Sequence, residues 1–187
     1  MVTRIRYEAH RGVGTEFPEN TLPAFEAAVR QGYDMIELDL KFTADNVCVV
    51  LHDRTVGRTA RTPSGEPAEN RKIAEMTFAE ARTLDYGLWK GEEFRGTQIP
   101  RFTEVLAFAK STGVSLKIDN CYERFTTEQR EILYRTIEEA GLAKSGQIGF
   151  TCANAVSFAE VTERFPEAEF HYDGPVNEKF ADVLAWT

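Results

Sequence analysis

No stretch of this 187-residue chain approaches the eighteen or so consecutive apolar residues needed to cross a bilayer, which argues against a transmembrane segment. The opening residues, MVTRIRYEAH, lack the apolar core of a secretory leader, and the chain therefore reads as cytoplasmic. Cysteine is scarce. Cys48, Cys121 and Cys152 are odd in number, far apart and set in apolar or strand-like surroundings, a pattern that fits neither a disulfide framework nor a zinc site, so they read as buried thiols. Positive charge is in deficit: 22 Lys and Arg stand against 30 Asp and Glu, for a formal charge of −8. With no basic patch to neutralise a row of phosphates, nucleic acid is excluded as a partner. An acidic protein that handles phosphate would have to use a few focused cations or a metal ion. There is no internal repeat and no low-complexity tract.

What remains is an ordinary globular composition, 42% hydrophobic, long enough for one sizeable core, and residues 1–187 read as a single domain. IRYEAH reads as a strand, and NTLPAFEAAVRQG has helical spacing, with Asn20 or Thr21 as cap, an early Pro23 and Gly32 as the stop. YDMIELDLKF alternates strictly, and NVCVVLHD is a third strand ending in His52 and Asp53. Residues 54–76 carry no periodic pattern and read as a long surface excursion. A helix restarts at Thr77, with Glu80 at capping-box spacing, and FTEVLAFAKSTG is a second one, closed by Gly113. Then come strand VSLKIDN, helix TTEQREILYRTIEEAG, strand QIGFT, helix ANAVSFAEVTERF, strand AEFHYD and a last helix in FADVLAWT. Such alternation implies a parallel α/β sheet covered by helices, either a closed barrel or an open doubly wound sheet.

In parallel α/β folds the working residues gather at the carboxyl ends of the strands. Those ends are polar here: His10 and Arg11 on the first strand, Glu37 and Asp39 on the second, His52 and Asp53 on the third, Lys117 and Asp119 on the fourth. Glu37 and Asp39 share a face about 7 Å apart along the strand, an arrangement that suits a hard divalent cation bound through oxygen. The histidines can exchange a proton near neutral pH. His171 and Cys121, near strand ends, read as structural.

Taken together, HRG, PENT, IELDL, VVLHD, a Gly-containing excursion and IPRFTEVL, in this order and spacing, resemble the glycerophosphodiester phosphodiesterases, closely over residues 5–120 and in pattern beyond. The resemblance implies a TIM-type (β/α) barrel that hydrolyses glycerophosphodiesters to glycerol 3-phosphate and an alcohol. It implies that His10 and His52 are the acid and base pair, that Glu37 and Asp39 bind a divalent metal, Ca2+ or Mg2+, and that Arg11 holds a phosphate oxygen. On the fourth strand the family usually has Glu-x-Lys, metal ligand then phosphate contact, whereas this chain has Lys117, Ile118, Asp119. Positions two apart share a face, so the two roles are expected to be exchanged, with Asp119 toward the metal and Lys117 toward the substrate. The expected partner is a small-molecule phosphodiester.

Six strands are counted, against about eight in a closed barrel, so the barrel is expected to be incomplete at its C-terminal end. The chain is then expected to be a fragment, a truncated form or one part of an assembly, with its open edge covered by a homo-oligomer or a longer parent chain. The competing readings are a related lipid phosphodiesterase of the phospholipase D type, and a non-catalytic or impaired phosphate-binding module.

Overall fold

Apolar residues at alternate positions build the sheet, because successive side chains on a strand point to opposite faces. In the computed structural model, which describes residues 5–172 and Val183, the sheet is parallel and five-stranded. Its strands are β1 (Glu8–His10), β2 (Met35–Leu38), β5 (Ser115–Ile118), β6 (Ile148–Thr151) and β7 (Glu169–His171), paired in that order. Each strand lies next to the one before it in the sheet, as in a TIM-type barrel. Ala9, Ile36, Leu38, Leu116, Ile118, Ile148 and Phe150 are buried in the main core, whereas His10, Glu37, Lys117 and Gly149 lie side by side in one register row. One face is therefore apolar and packed on helices; the other carries polar groups.

Helices α1 (Leu22–Arg30), α3 (Phe102–Thr112), α4 (Thr127–Glu139) and α5 (Ala155–Arg164) fall where the periodicity places them. Thr21 precedes α1 as its cap residue, although its hydroxyl donates to the Pro18 carbonyl rather than capping the helix. Gly113, at φ +78°, closes α3. The later helices are fixed by aromatic packing: Phe150 lies 5.4 Å from Tyr122 and 5.5 Å from Phe165, which in turn meets Tyr134 at 5.4 Å. The three cysteines are free and buried.

Two elements depart from the sequence reading. The alternating run YDMIELDLKF is broken at Asp39: β2 ends at Leu38, and β3 (Leu40–Phe42) leaves the sheet to pair antiparallel with β4 (Cys48–Val50). The third predicted strand is thus outside the parallel sheet, which leaves five of the six counted strands within it. The reason is length. Only residues 43–47 separate β3 from β4, whereas a parallel crossover needs about a dozen residues or more. The second departure is the excursion. It carries its own core, in which Val49, Leu51, Val56, Ile73, Met76, Phe78, Tyr86 and Ile99 are buried together, so it is a packed satellite rather than a loose loop. Its one short α-helix, α2 (Phe78–Ala81), has the expected capping box between Thr77 and Glu80. The helix expected in FADVLAWT lies outside the described residues, Val183 excepted.

Gly12 sets the path of the chain out of β1. Its φ is +77°, and a Cβ there would stand 2.8 Å from Ala24 Cβ and 2.9 Å from Phe25 Cδ1. Gly12→Ala should cost about 2–4 kcal/mol, combining left-handed strain with overpacking against α1. Gly32 has a similar φ of +80° and open space around it, so Gly32→Ala should cost only about 1 kcal/mol. Urea unfolding of both variants measures the difference; equal losses would show that the packing against Ala24 and Phe25 is relieved at little cost.

Candidate active site

The carboxyl ends of β1 and β2 bring the first groups together. His10 is in register with Glu37, and its Nε2 lies 3.9 Å from Glu37 Oε2. The two differ sharply in environment: the His10 side chain is 71% exposed and that of Glu37 only 7%. Burial, and then the neighbouring Asp39 charge, push the Glu37 carboxyl up to about 8, against the pull of the hydrogen bond from the Arg11 N–H. The Asp119 charge raises it further, which places that residue's carboxylate in the same electrostatic cluster.

The loop after β1 closes over these carboxylates. Arg11 and Asn20, at φ +55° and +57°, both adopt the left-handed conformation that side chains other than asparagine rarely accept. The Arg11 backbone N–H donates to Glu37 Oε2 at 2.9 Å, and the Asn20 N–H returns to the Arg11 carbonyl at 3.0 Å. Asn20 Nδ2 donates to Asp39 Oδ2 at 2.9 Å. The Arg11 guanidinium donates to Glu19 Oε1 at 3.0 Å, and its Nε stands 3.5 Å from Asp39 Oδ2. HRG and PENT are thus two halves of one cradle.

His52 follows β4 and is held by a chain of charges. Its Nδ1 is 2.6 Å from Asp53 Oδ1, and Arg58 Nε donates to Asp53 Oδ2 at 2.6 Å. The remaining Arg58 nitrogens form a fork onto both Glu19 oxygens at 2.7 and 2.9 Å. Arg58 holds Asp53 below the usual carboxylate range. Burial alone would raise Glu19, but hydrogen bonds and charge from Arg58 and Arg11 outweigh it and hold that carboxyl low as well. Through Glu19 the His52 side of the site is tied to the His10 side.

Lys117 is buried, and its Nζ crosses beneath β2 to donate to Glu8 Oε1 at 3.1 Å. The side chain therefore engages the polar face of the sheet in this structure, while its Cα stays level with Glu37. Among the described residues no three His, Cys, Asp or Glu side chains converge as a ready-made metal cage. Glu37 and Asp39 nevertheless fit a hard cation: both are buried oxygen donors, and burial followed by the Asp39 charge is what lifts the Glu37 carboxyl. Such a pair can serve an ion whose remaining positions are filled by water or phosphate, as magnesium sites commonly do.

A match to known proteins decides the family. Residues 10–173 match the model of the glycerophosphoryl diester phosphodiesterase family. The chain belongs to this family. It is 43% identical over 97 residues to a glycerophosphodiester phosphodiesterase of Caldanaerobacter subterraneus subsp. tengcongensis, covering 52% of this chain and 37% of that protein. Glycerophosphodiester phosphodiesterase 1 of Bos taurus is 32% identical over 118 residues, covering 62% and 34%. The chain thus spans well under half the length of these relatives. Among solved structures, the glycerophosphodiester phosphodiesterase of Agrobacterium tumefaciens aligns with a TM-score of 0.71 at 26% identity, over 89% of this chain and 66% of that one. An Oleispira antarctica phosphodiesterase, in complex with the product sn-glycerol-3-phosphate, shares the fold with a TM-score of 0.78 at 22% identity, covering 97% and 71%. As a member of the phosphodiesterase family the chain has the TIM-type barrel architecture expected of it, represented here by five consecutive strands. Among the described residues no helix is long and apolar enough to cross a membrane.

Sequence reasoning singled out His10, Arg11, Glu37, Asp39, His52, Lys117 and Asp119 and, though it named Asn20 as a possible cap and Asp53 as a strand end, did not assign the groups that hold them. Glu19, Asn20, Asp53 and Arg58 are those groups. The PENT motif contained the first two, and a polar pair in a buried loop was the available signal.

The raised Glu37 carboxyl makes stability depend on pH. A carboxyl whose folded pKa lies above its unfolded value favours the fold fully below the unfolded value and loses that contribution as pH rises through the folded one. Stability should therefore fall between the ordinary value of 4.5 and about 8 in metal-free buffer. Glu37→Gln should flatten that decline, measured by urea unfolding in the presence of a chelator. Parallel pH profiles for the two proteins would show that Glu37 does not titrate in this range.

Proposed function

We propose that this site hydrolyses glycerophosphodiesters to glycerol 3-phosphate and an alcohol, with His10 and His52 as the acid and base pair. What supports the reading is His10 beside the buried Glu37, and His52 tied to the loop that covers Glu37 through Asp53, Arg58 and Glu19. Asp53 occupies His52 Nδ1, which leaves Nε2 as the nitrogen free to exchange a proton with substrate. His10 is exposed enough to meet a ligand directly. One histidine takes the proton of the attacking hydroxyl, whether of water or of the substrate's neighbouring hydroxyl through a cyclic phosphate. The other returns a proton to the departing alkoxide. Arg11 and Lys117 supply positive charge to the phosphate. A divalent ion on Glu37 and Asp39, Ca2+ or Mg2+, would when bound offset negative charge developing on the phosphoryl oxygens. The glycerol phosphate held by the Oleispira antarctica phosphodiesterase is the product that this reaction would release.

The fourth-strand exchange belongs to the same proposal: Asp119 serves the cation and Lys117 the substrate. What supports it is the Asp119 charge acting on Glu37 and the shared register of Lys117 and Glu37.

Turnover of glycerophosphocholine with and without chelator tests the activity. His10→Ala and His52→Ala should each lower kcat by about a hundredfold or more with an unchanged circular dichroism spectrum. Near wild-type turnover in a folded variant would remove that histidine from the mechanism. Exchanging the fourth-strand pair, Lys117→Glu with Asp119→Lys, should keep or raise metal-dependent turnover. Loss of turnover with the metal affinity unchanged would show that the order of the pair is fixed.

A further inference from the structure

A second cavity, of about 280 Å3, lies beside this site and shares none of its residues. Its walls come from Lys41, Arg54, Lys72 and Arg124, and its floor from apolar side chains. Phe42 and Phe125 form part of that floor and meet edge to face, with ring centroids 5.0 Å apart. Lys72 is paired with Glu75, but among the described residues neither Lys41, Arg54 nor Arg124 meets a carboxylate. Lys41 Nζ reaches only two backbone carbonyls, those of Leu40 and Leu51, at 3.2 Å. In a chain with an excess of eight negative charges, three neighbouring cations without acidic partners form a local field of the opposite sign.

The backbone holds these walls in place. Ile73 N–H donates to the Arg54 carbonyl at 3.0 Å, and Thr55 and Lys72 form an antiparallel bridge, so Arg54 and Lys72 are fixed next to each other. On the other side, Leu40 N–H donates to Cys121 Sγ at 3.2 Å, which ties the Lys41 strand to the short 3-10 turn Asn120–Arg124. The cations therefore project from fixed backbone around an apolar base.

We propose that this cavity binds a small organic phosphate monoester with a compact apolar or ring body, at a site separate from the candidate active site. Guanidinium forks such as those of Arg54 and Arg124 match the oxygens of a phosphate. The phenylalanine floor offers nothing to inorganic phosphate but contacts a ring. The volume is near the lower end for small-molecule pockets, which limits the body to a single ring or a short chain.

Phenyl phosphate is the probe, titrated calorimetrically into the full chain, with inorganic phosphate and phenol in parallel. Phenyl phosphate should bind in about the millimolar range or tighter, and each half of it about tenfold more weakly or worse. Arg54→Ala combined with Arg124→Ala should weaken phenyl phosphate about tenfold or more. Arg11→Ala, on the active-site side, should leave its affinity unchanged. Because Arg54 and Arg124 are exposed, the double variant should fold, and its circular dichroism spectrum verifies that. Three results would overturn the proposal: an unchanged affinity in the double variant, a loss of binding in Arg11→Ala instead, or equal affinities for phenyl phosphate and inorganic phosphate. Unchanged hydrolysis of glycerophosphocholine in Arg11→Ala, with phenyl phosphate affinity also unchanged, would count against the proposed function and leave the cavity untouched.

Discussion

Two carboxylates buried side by side are the constraint around which this site is built. Glu37 and Asp39 point the same way from a chain that passes out of a parallel sheet, and both are almost closed to solvent. Unpaired, such a pair is costly, because each desolvates and repels the other. The loop after β1 meets that cost with a hydrogen bond from a backbone N–H and one from an asparagine amide, and the positive charge of the Arg11 guanidinium stands 3.5 Å from Asp39. Those donors reach their acceptors only because Arg11 and Asn20 take left-handed conformations, each with a backbone cost that the polar contacts must outweigh. The shape of the loop follows from the charge it covers.

The sheet stops beside the same pair. At Asp39 the ladder changes partners: Asp119 N–H donates to the Leu38 carbonyl, while Leu51 N–H donates to that of Asp39. Beyond this point the chain turns away into the two-stranded ribbon and the satellite core. His52 is delivered from that ribbon, whereas His10 is delivered from the sheet. The ribbon straddles the two apolar clusters, with Leu40, Phe42, Cys48 and Val50 in the main core and Val49 and Leu51 in the satellite; polar contacts add to that link, among them the Arg58 fork on Glu19 and the Lys90 amine on the Gly14 and Thr15 carbonyls.

Much of this was legible in the sequence. Helices α1, α3, α4 and α5 announced themselves by period and by their stops, since their burial is one-sided. The polar strand ends were legible because charged residues at i and i+2 of an otherwise apolar strand share a face. The ribbon was not read correctly, because Cys48 to Val50 is as apolar as a buried parallel strand; only the short connection from Phe42 distinguishes them. The satellite core escaped notice because its members, from Val49 to Ile99, are spread over turns without a period. Glu19 and Arg58 were invisible as a pair because thirty-nine positions separate them, and nothing local in either segment points to the other.

The satellite has its entry and exit close together. Val49 bridges Arg101, and Val50 N–H donates to the Pro100 carbonyl, so the chain leaves and returns at one point on the sheet's rim. The stretch between Asp53 and Pro100 is consequently a looped-out unit with a single gate. Its length can change at small entropic cost while the strand order and α3 stay undisturbed, because loop closure at a fixed gate changes only slowly with the number of residues enclosed. It touches the loop after β1 through Arg58 and Lys90, and those two contacts are the ones the site needs from it. Elsewhere in it, a change of length or content would leave the barrel as it is.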